Sequence, residues 1–189
     1  MLRPFGTTLV KYVVKIAVSA FLLAAVLPAA TLEYLSLDDL AVKATAIVRA
    51  RVTGSYAEPG RTIIYTHYRI EVLDRWKGPD ASEMDIVLPG GSANGLRQTF
   101  PGVPRLIDGQ EYLLFLWQSP TGGLTHVLGL SQGIFTVKRG DSGEATAYRG
   151  VNTDTILNSR GQPVRQSAVT LKLSDFRRRV GRAVEGATR

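Results

Sequence analysis

The sequence has 189 residues, of which 23 are Lys or Arg and 16 are Asp or Glu, for a formal net charge of +7. This length and a hydrophobic content of 44% fit one globular domain rather than a disordered or collagen-like chain. Because the sequence has no cysteine, it excludes a disulfide framework, thiolate catalysis and zinc sites that need cysteine ligands.

The net positive charge of the sequence comes from the two ends of the chain. Residues 1–30 carry three basic residues and no acidic one, and residues 160–189 carry eight basic residues and two acidic ones. The intervening residues 31–159 carry 12 basic and 14 acidic residues. The body of the protein is therefore slightly acidic, which argues against nucleic acid as a partner.

Residues 1–30 are predicted to be a signal peptide or an N-terminal membrane anchor. Three cations precede the apolar run 16–27, and Pro28-Ala29-Ala30 follow it, as in an export signal. An anchor stays open because the 17 residues from 16 to 32 carry no charge and reach the lower limit of a membrane span. A buried core helix is a third interpretation. Either of the first two places residues 31–189 outside the cytoplasm, in the periplasm or secreted, because positive charge before the apolar run stays inside.

The body begins with a short predicted helix over Ser36–Ala44. Its apolar residues recur at helical spacing, and Ser36 can accept hydrogen bonds from the first free N–H groups. Alternating or continuous apolar patterns predict strands over 46–52, 62–76, 84–88, 112–117, 124–128, 133–138 and 145–149. The segment 112–117 is apolar on both faces, which indicates a strand buried on both sides.

The strand predicted over 62–76 has one apolar and one polar face. The apolar face contains Ile64, Tyr68, Ile70, Val72 and Trp76. The other face contains His67 among Tyr65, Arg69 and Glu71, so His67 is predicted to be a surface residue.

A Gly- and Pro-rich connection follows between Pro89 and Gln110. Loops of this length in a compact domain are more often functional than neutral, although a surface excursion that closes one barrel end is the alternative. The candidate binding residues are Gly90, Gly91, Ser92, Asn94, Arg97 and Arg105 in this connection, together with Trp76 before it.

Residues 151–189 are predicted to form a polar extension and a basic C-terminal helix. Ser174 can cap this helix, and Phe176, Val180, Ala183 and Val184 fall on one face. The basic surface comprises Arg177, Arg178, Arg179 and Arg182. Such a helix either docks on the barrel with a solvated basic side or binds an anionic lipid or polysaccharide surface.

Short strands with one helix before and one after predict a mainly β fold, a five-stranded OB-fold-like Greek-key barrel over residues 31–150 with an N-terminal and a C-terminal flanking helix. Three blocks, Ala46–Val52, Tyr68–Val72 leading to Trp76-Lys77-Gly78-Pro79, and Gly109–Leu114, resemble the netrin-like module. That module is the OB-fold barrel of the tissue inhibitors of metalloproteinases, netrins and complement carboxy-terminal domains. The resemblance implies an exported barrel with packed helices.

The sequence departs from the metalloproteinase inhibitors in one decisive feature. In those proteins an amino-terminal cysteine chelates the catalytic zinc through its free amine and carbonyl, and disulfides hold that edge rigid. This chain has no cysteine, so the inhibitory mechanism does not transfer to it. Binding to another protein through barrel loops stays open.

No catalytic or metal motif emerges from the sequence. The two histidines are His67, predicted on the surface, and His126, predicted to be a core or rim residue. The stretch Gly90–Asn94 approaches a nucleophile elbow but ends in Asn where Gly is required. No metal-binding motif or phosphate-binding glycine loop occurs, so no metal or cofactor is expected. A hydrolase working through two carboxylates stays open, because sequence does not give their separation.

The sequence therefore predicts an exported, non-enzymatic module that binds a protein or glycan partner in the cell envelope or outside, through barrel-end loops. An inhibitor or accessory protein of an extracellular metalloprotease is the alternative, and it depends on the resemblance alone. An anionic membrane surface is a further candidate partner of the basic helix, and nucleic acid is not expected.

Overall fold

A computed structural model describes residues 32–140, 143–151 and 156–187. The elements in chain order are β1 (Leu32–Glu33), α1 (Leu37–Lys43), β2 (Ala46–Pro59), β3 (Ile64–Lys77), β4 (Glu83–Pro89), β5 (Gly91–Ala93), β6 (Leu96–Gln98), β7 (Glu111–Trp117), β8 (His126–Val127), a 3-10 helix (Leu130–Gly133), β9 (Ile134–Arg139), β10 (Ala145–Arg149), β11 (Ile156–Leu157), β12 (Val169–Lys172) and α2 (Leu173–Ala187). The predicted export segment, residues 1–30, lies outside the described residues.

Five strands close into a barrel. β2, β3 and β4 form an antiparallel meander, β8 pairs parallel to β4 and antiparallel to β7, and β7 pairs antiparallel to β2. Numbered along the chain, these strands follow each other around the barrel as first, second, third, fifth and fourth, which is the Greek-key order of the OB-fold. The predicted mainly β, OB-fold-like barrel with one N-terminal and one C-terminal helix is confirmed.

The segment that follows β7 pairs with it through two separate strands. β8 pairs with Leu116 and Trp117 and closes the barrel, whereas β9 pairs with Tyr112–Leu114. β9 then leads away from the barrel to β10 and β12, which extend the sheet. The 3-10 helix makes this division at Gly133, where an added Cβ would lie 2.1 Å from the Leu128 carbonyl oxygen.

Two hydrophobic cores share the strands β2 and β7. The barrel core contains Val48, Ala50, Leu114 and Leu116, among others. The outer core packs α1 and α2 against the other face of the sheet, and it contains the intervening residues Ile47, Leu113 and Phe115 together with Phe135, Phe176 and Val180. The prediction that 112–117 is buried on both sides is therefore confirmed for residues 112–116, whereas Trp117 is 40% exposed.

Side chains form hydrogen bonds with backbone groups at both ends of helix α1. The Ser36 hydroxyl accepts a hydrogen bond from the Asp39 N–H at 3.0 Å, and Asp39 accepts one from the Ser36 N–H at 3.0 Å. These bonds form a capping box, as the predicted cap at Ser36 requires. The hydrogen bonds that the Ser36 hydroxyl and the Ser36 N–H donate to the Asp39 carboxylate lower the pKa of Asp39. At the other end, the Lys77 ammonium donates to the carbonyls of Ala41 and Val42 at 3.0 and 2.9 Å.

The alternating pattern predicts that Trp76 shares a face with Tyr68 and Ile70, and this prediction is wrong. Leu73 and Trp76 are extra residues in two bulges of β3 opposite β2, and each bulge shifts the alternation of inward and outward side chains. Trp76 therefore joins the outer core, where its ring centroid lies 6.0 Å from that of Phe176.

The C-terminal helix packs through its predicted apolar face. Phe176 and Val180 are buried in the outer core, and Ala183 and Val184 pack at its edge. The helix begins at Leu173, directly after β12, so Ser174 lies within its first turn and is not the N-cap. Within the residues that the structure describes, no helix is long and apolar enough to cross a membrane.

Candidate functional site

The connection between β4 and β7 contains a short hairpin that the sequence interpretation missed. β5 pairs antiparallel with β6, and Asn94 and Gly95 form the turn with φ angles of 51° and 73°. Positive φ at both turn residues is typical of the type I′ hairpin turn, and an Asn-Gly pair is its strongest sequence signal. The signal was therefore present in a segment interpreted as an irregular loop.

Gly90 and Gly91 let this hairpin fold back onto the end of β3. The Gly90 N–H donates to the Ile64 carbonyl at 2.7 Å, and its carbonyl accepts from the Thr66 hydroxyl at 2.8 Å. An added Cβ on Gly91, whose φ is 138°, would lie 2.7 Å from the Thr66 hydroxyl oxygen. The Gln98 side chain completes the attachment by accepting from the Ile64 N–H at 2.6 Å.

The second half of the connection closes the barrel end. Leu106 is only 3% exposed and belongs to the barrel core. The Tyr112 hydroxyl accepts from the Ile107 N–H at 3.0 Å, and Tyr68 hydrogen-bonds the Leu106 backbone. Burial raises the pKa of Tyr68 above its ordinary value. The alternative prediction for this connection, that it closes one barrel end, therefore holds for residues 106 and 107.

A cavity of about 580 Å³, here called the hairpin cavity, lies at the barrel mouth beside β5 and β6. Its lining includes five of the predicted binding residues, Gly90, Gly91, Ser92, Arg97 and Arg105. Tyr68 and Phe100 are the aromatic residues on the side of the sheet that lines this cavity. Asn94 lies at the tip of the hairpin outside this lining, and Trp76 lies at the other end of β3.

A second cavity of about 500 Å³, here called the β10 cavity, shares residues 103–105 with the hairpin cavity. Its lining includes Ile134 and Thr136 of β9 and Tyr148 and Arg149 of β10. The sequence interpretation did not identify this cavity, because residues far apart in the chain form it. The one local signal is Arg149, a cation at the end of an otherwise neutral strand.

The barrel mouth is cationic although the body of the protein is slightly acidic. Arg97 and Arg105 belong to the lining of the hairpin cavity, and Arg105 and Arg149 belong to that of the β10 cavity, although the Arg149 guanidinium itself lies over Phe135. Neither lining includes an Asp or Glu from the described residues. Such a mouth can bind a carboxylate, sulfate or phosphate group through the planar guanidinium donors.

Exposed apolar side chains surround these cavities. Ile107 and Val151, in the lining of the β10 cavity, are 65% and 67% exposed, and Phe100, in the lining of the hairpin cavity, is 37% exposed. Leu96, which precedes Arg97 in β6, is 68% exposed. Large apolar side chains grouped at one end of a molecule, with arginines between them, are typical of interaction surfaces rather than of neutral surface.

The two histidines lie on the outer face of the barrel. His67 is only 8% exposed, so its prediction as a surface residue is wrong. The Tyr56 ring stacks on the imidazole at 4.7 Å, and Asp85 contacts its Nδ1 at 2.7 Å. His126 is half-buried between Tyr65 and Trp117, as a rim position requires, and burial lowers its pKa.

No group of three His, Cys, Asp or Glu side chains within residues 32–140, 143–151 and 156–187 is arranged to hold a metal ion. Ser92, the residue at the nucleophile position of the elbow-like stretch, lies on an exposed part of β5. The strand-to-helix turn that a nucleophile elbow requires is therefore not the setting of this serine.

Two of the four arginines predicted as a basic surface bind the body of the protein. Arg177 pairs with Asp74 of β3 at 3.1 Å, and Arg179 pairs with Asp38 of α1 at 3.0 Å. Arg178 pairs with Asp175 on the same helix. Arg182 is exposed and has no carboxylate within 4 Å in the described part of the chain.

No family model matches the sequence, and no curated protein is significantly similar to it. The geometry of the barrel mouth is therefore the basis of the function proposed below.

Proposed function

We propose that this protein is an exported, non-enzymatic binding module that recognises a protein or glycan partner through the barrel mouth formed by residues 89–110. The observation that carries the proposal is the hairpin cavity, where Arg97 and Arg105 face an aromatic-walled cleft and no acidic residue of the described chain contributes to the lining. The backbone around it is fixed by the hydrogen bonds of Gly90 and Gln98, so the cleft is preformed.

The exposed side chains favour a protein over a glycan as the partner. Leu96 and Ile107 are aliphatic and 68% and 65% exposed, and aliphatic surface contributes to protein interfaces when a partner covers it. Arginine and aromatic side chains are also the types that most often dominate the binding energy of such interfaces. Sugar recognition would depend chiefly on Phe100, which makes a glycan the alternative outcome of the test.

Photo-crosslinking in cells that express the full chain tests this proposal. A photo-crosslinking amino acid replaces Leu96 or Ile107 at the mouth, and Val42 on α1 is the matched control because it is also an exposed apolar residue. We expect one discrete protein adduct from both mouth positions and none from position 42. Glycan adducts would replace the protein partner by a glycan, and equal adducts from all three positions would refute the mouth as the binding surface.

A charge reversal provides the second part of this test. Arg97→Glu places an acidic group in the hairpin cavity and is expected to reduce the adduct formed from position 107 by at least about tenfold, because like-charge contacts oppose binding. Arg182→Glu makes the same change in net charge on α2 and is expected to leave the adduct unchanged. Equal losses in both variants would assign the effect to net charge rather than to the cavity.

Export is part of the same proposal and has its own measurement. Cell fractionation with mass measurement of the mature amino terminus distinguishes a cleaved signal, with a start near Thr31, from an anchor that keeps Met1 in the membrane fraction. A soluble cytoplasmic protein with an intact Met1 would contradict both. The metalloprotease-inhibitor alternative and the anionic-surface hypothesis for α2 have no supporting contact of their own and stay predictions.

A further inference from the structure

We propose that the partner binds through an extended segment that carries an acidic side chain and pairs as an added strand with the free edge of β2 at Ser55 and Ala57. Both residues belong to the lining of the hairpin cavity, so this proposal rests on the function proposed above and specifies how the partner is recognised. Strand addition takes its affinity from main-chain hydrogen bonds and its specificity from alternate side chains.

One edge of the second half of β2 has no neighbouring strand in the described part of the chain. β7 pairs with residues 46–51 of β2, and the loop before β7 bonds the backbone of Val52. Over residues 54–59, β3 is the only described strand that pairs with β2, and it lies on the other edge. Ser55 is exposed and Ala57 is half-buried, so a partner can reach this edge.

β5 lies over the face of β2 and leaves this edge open. A Cβ added to Gly91 would lie 3.0 Å from the Ala57 Cβ and 2.7 Å from the Thr66 hydroxyl oxygen. These are side-chain atoms, which project from the face of a sheet, so the hairpin packs above the strand rather than beside it. Every second side chain of a strand added beside β2 would point toward the hairpin cavity.

The hydrogen bonds of Ile64 show how β2 and β3 pair at this end. Its N–H donates to the Gln98 side chain at 2.6 Å, and its carbonyl accepts from the Gly90 N–H at 2.7 Å. Both backbone groups of Ile64 therefore point away from β2. Ile64 lies opposite Pro59, so these two residues form a pair without hydrogen bonds between them.

The same alternation identifies the backbone groups that point to the free edge. Pairs with and without hydrogen bonds alternate along an antiparallel ladder, and the register does not shift between residues 54 and 59. Ala57 and Ser55 follow Pro59 at steps of two residues, so neither bonds β3. Their N–H and C=O groups point to the free edge, where an added strand can bond them.

The hairpin cavity beside this edge favours an acidic segment. Its lining includes Arg97 and Arg105 and no Asp or Glu from the described residues. Burial raises the pKa of Tyr68, and the nearby positive charge of Arg105 acts on it in the opposite direction. The charge of Arg105 is thus close to the phenol of Tyr68, which also lines the cavity. Opposite charge on the partner segment complements this lining.

The short length of the free edge favours a partner segment over a second copy of the chain. Thr53 is the extra residue of a bulge at one end, and Pro59 ends β2 at the other. Bulges and prolines at a sheet edge oppose edge-to-edge pairing of copies. The stretch between them accommodates one short added strand.

Amide hydrogen exchange tests whether the edge is open. It is measured by NMR, residue by residue, on protein isolated from cells that express the full chain. We expect the Ser55 and Ala57 amides to exchange at least about tenfold faster than the Tyr56 amide, which bonds β3. Slow exchange at all three positions would show that this chain or a second copy already covers the edge, and it would overturn the proposal.

Proline substitutions test the added strand in the photo-crosslinking experiment. Ser55→Pro removes an edge N–H without breaking a bond to β3, and it is expected to reduce the adducts from positions 96 and 107 at least about tenfold. If circular dichroism shows that this variant does not fold, Ala57→Pro makes the same change two residues later. Undiminished adducts in a folded proline variant would refute strand addition.

Glu83→Pro is the matched control. The Val87 N–H donates to the Thr125 carbonyl, away from β3, and alternation along β4 gives the Glu83 N–H the same direction. Glu83 is exposed and begins β4, a position where proline is tolerated. This variant should change the adducts by less than about twofold, and a loss equal to that of Ser55→Pro would assign the effect to proline itself and overturn the proposal.

Mass spectrometry of the adducts tests the acidic class of the partner segment. We expect the crosslinked segment to contain Asp or Glu. A synthetic peptide of that segment should bind at least about tenfold more strongly than the same peptide with Asn or Gln at the acidic positions, as measured by fluorescence polarisation. Equal binding of the two peptides would overturn the acidic class.

Failure of strand addition is distinguishable from failure of the proposed function. Adducts that persist in the folded proline variants would remove strand addition alone. Absence of adducts from positions 96 and 107 in the unsubstituted background would remove both proposals. Glycan adducts would leave the mouth as the binding surface and overturn strand addition.

Discussion

Gln132 connects three distant segments through a single buried side chain. Its amide oxygen accepts hydrogen bonds from the Leu35 N–H at 2.9 Å and the Gln166 amide at 2.7 Å. Its amide nitrogen donates to the Glu33 carbonyl at 2.8 Å. The chain before α1 and the extension before β12 are therefore both fixed to the 3-10 helix, whose carbonyl also holds Arg149.

We predict that Gln132→Leu destabilises the protein by about 3 kcal/mol, because a buried polar group that loses its partner costs about 1 to 3 kcal/mol and the change leaves several unpaired. Urea unfolding provides the measurement. Gln118→Leu is the control, because Gln118 is exposed and its side-chain amide donates to the nearby Gly123 carbonyl, so its effect should be within about 0.5 kcal/mol. Equal effects of the two substitutions would contradict the connecting role of Gln132.

His126 makes stability depend on pH in a defined direction. Burial lowers its pKa below the ordinary value of 6.5, so the unfolded chain binds a proton more readily than the folded protein. Stability is therefore lost as the pH falls through 6.5 toward the lower folded pKa, and it is fully present above 6.5. We predict that His126→Gln reduces the loss of unfolding free energy between about pH 7 and about pH 5, as measured by urea unfolding across this range. An identical pH profile for both proteins would contradict this assignment.

At the scale of elements, the β5–β6 hairpin depends on a close approach that only glycine permits. We predict that Gly91→Ala destabilises the protein by about 1 to 3 kcal/mol, because the new Cβ meets the Thr66 hydroxyl in a strained backbone conformation. Gly181→Ala makes the same chemical change in the middle of α2, where no atom lies within 4 Å of the new Cβ. It should stabilise the protein by about 0.5 to 1 kcal/mol. Thermal or urea unfolding of both variants gives the comparison, and effects of the same sign would contradict it.

The elements that sequence patterns predicted are those whose side-chain pattern is uninterrupted. β7 is apolar on both faces because both cores use it, and α1 carries its capping box in the local sequence. The orientation of Trp76 was not predictable from alternation, because a bulge adds one residue to a strand without changing its composition. β5 and β6 have only three residues each, too few for a pattern, and only the Asn94-Gly95 turn marks them.

In the candidate site, too, residues close together in the chain were predictable and residues joined by long-range pairing were not. Gly90, Gly91, Ser92, Arg97 and Arg105 lie within one connection, and the structure brings them together around one cavity. The β10 cavity joins residues 102–107 to β9 and β10, which long-range pairing brings together. Sequence alone does not give such pairing, so this cavity was not predictable from it.

At the scale of the whole molecule, the barrel separates its chemical surfaces. The mouth carries both cavities and the exposed apolar side chains, whereas the other end of β3 carries Trp76 under α2. The acidic residues that the structure describes in the body lie outside the two cavity linings. Part of that acidic surface binds the basic helix α2.

Two long-range ion pairs attach α2 to the rest of the molecule. Arg177 pairs with Asp74 on β3, and Arg179 pairs with Asp38 on α1. Both pairs supplement the attachment of α2 through the buried residues Phe176 and Val180. These pairs are solvent-exposed, and each is therefore worth less than about 1 kcal/mol.

We predict that the double variant Arg177→Gln, Arg179→Gln lowers the free energy of unfolding by about 1 kcal/mol at low ionic strength. The double variant Arg178→Gln, Arg182→Gln removes the same net charge without breaking a contact between elements, because Arg178 bonds Asp175 on its own helix and Arg182 is exposed. It should change stability by less than about 0.5 kcal/mol. Salt screens exposed pairs, so the difference between the two variants should disappear in about 1 M salt. Urea unfolding at both ionic strengths checks this, and a difference that persists at high salt would assign the loss to packing of the arginine stems instead.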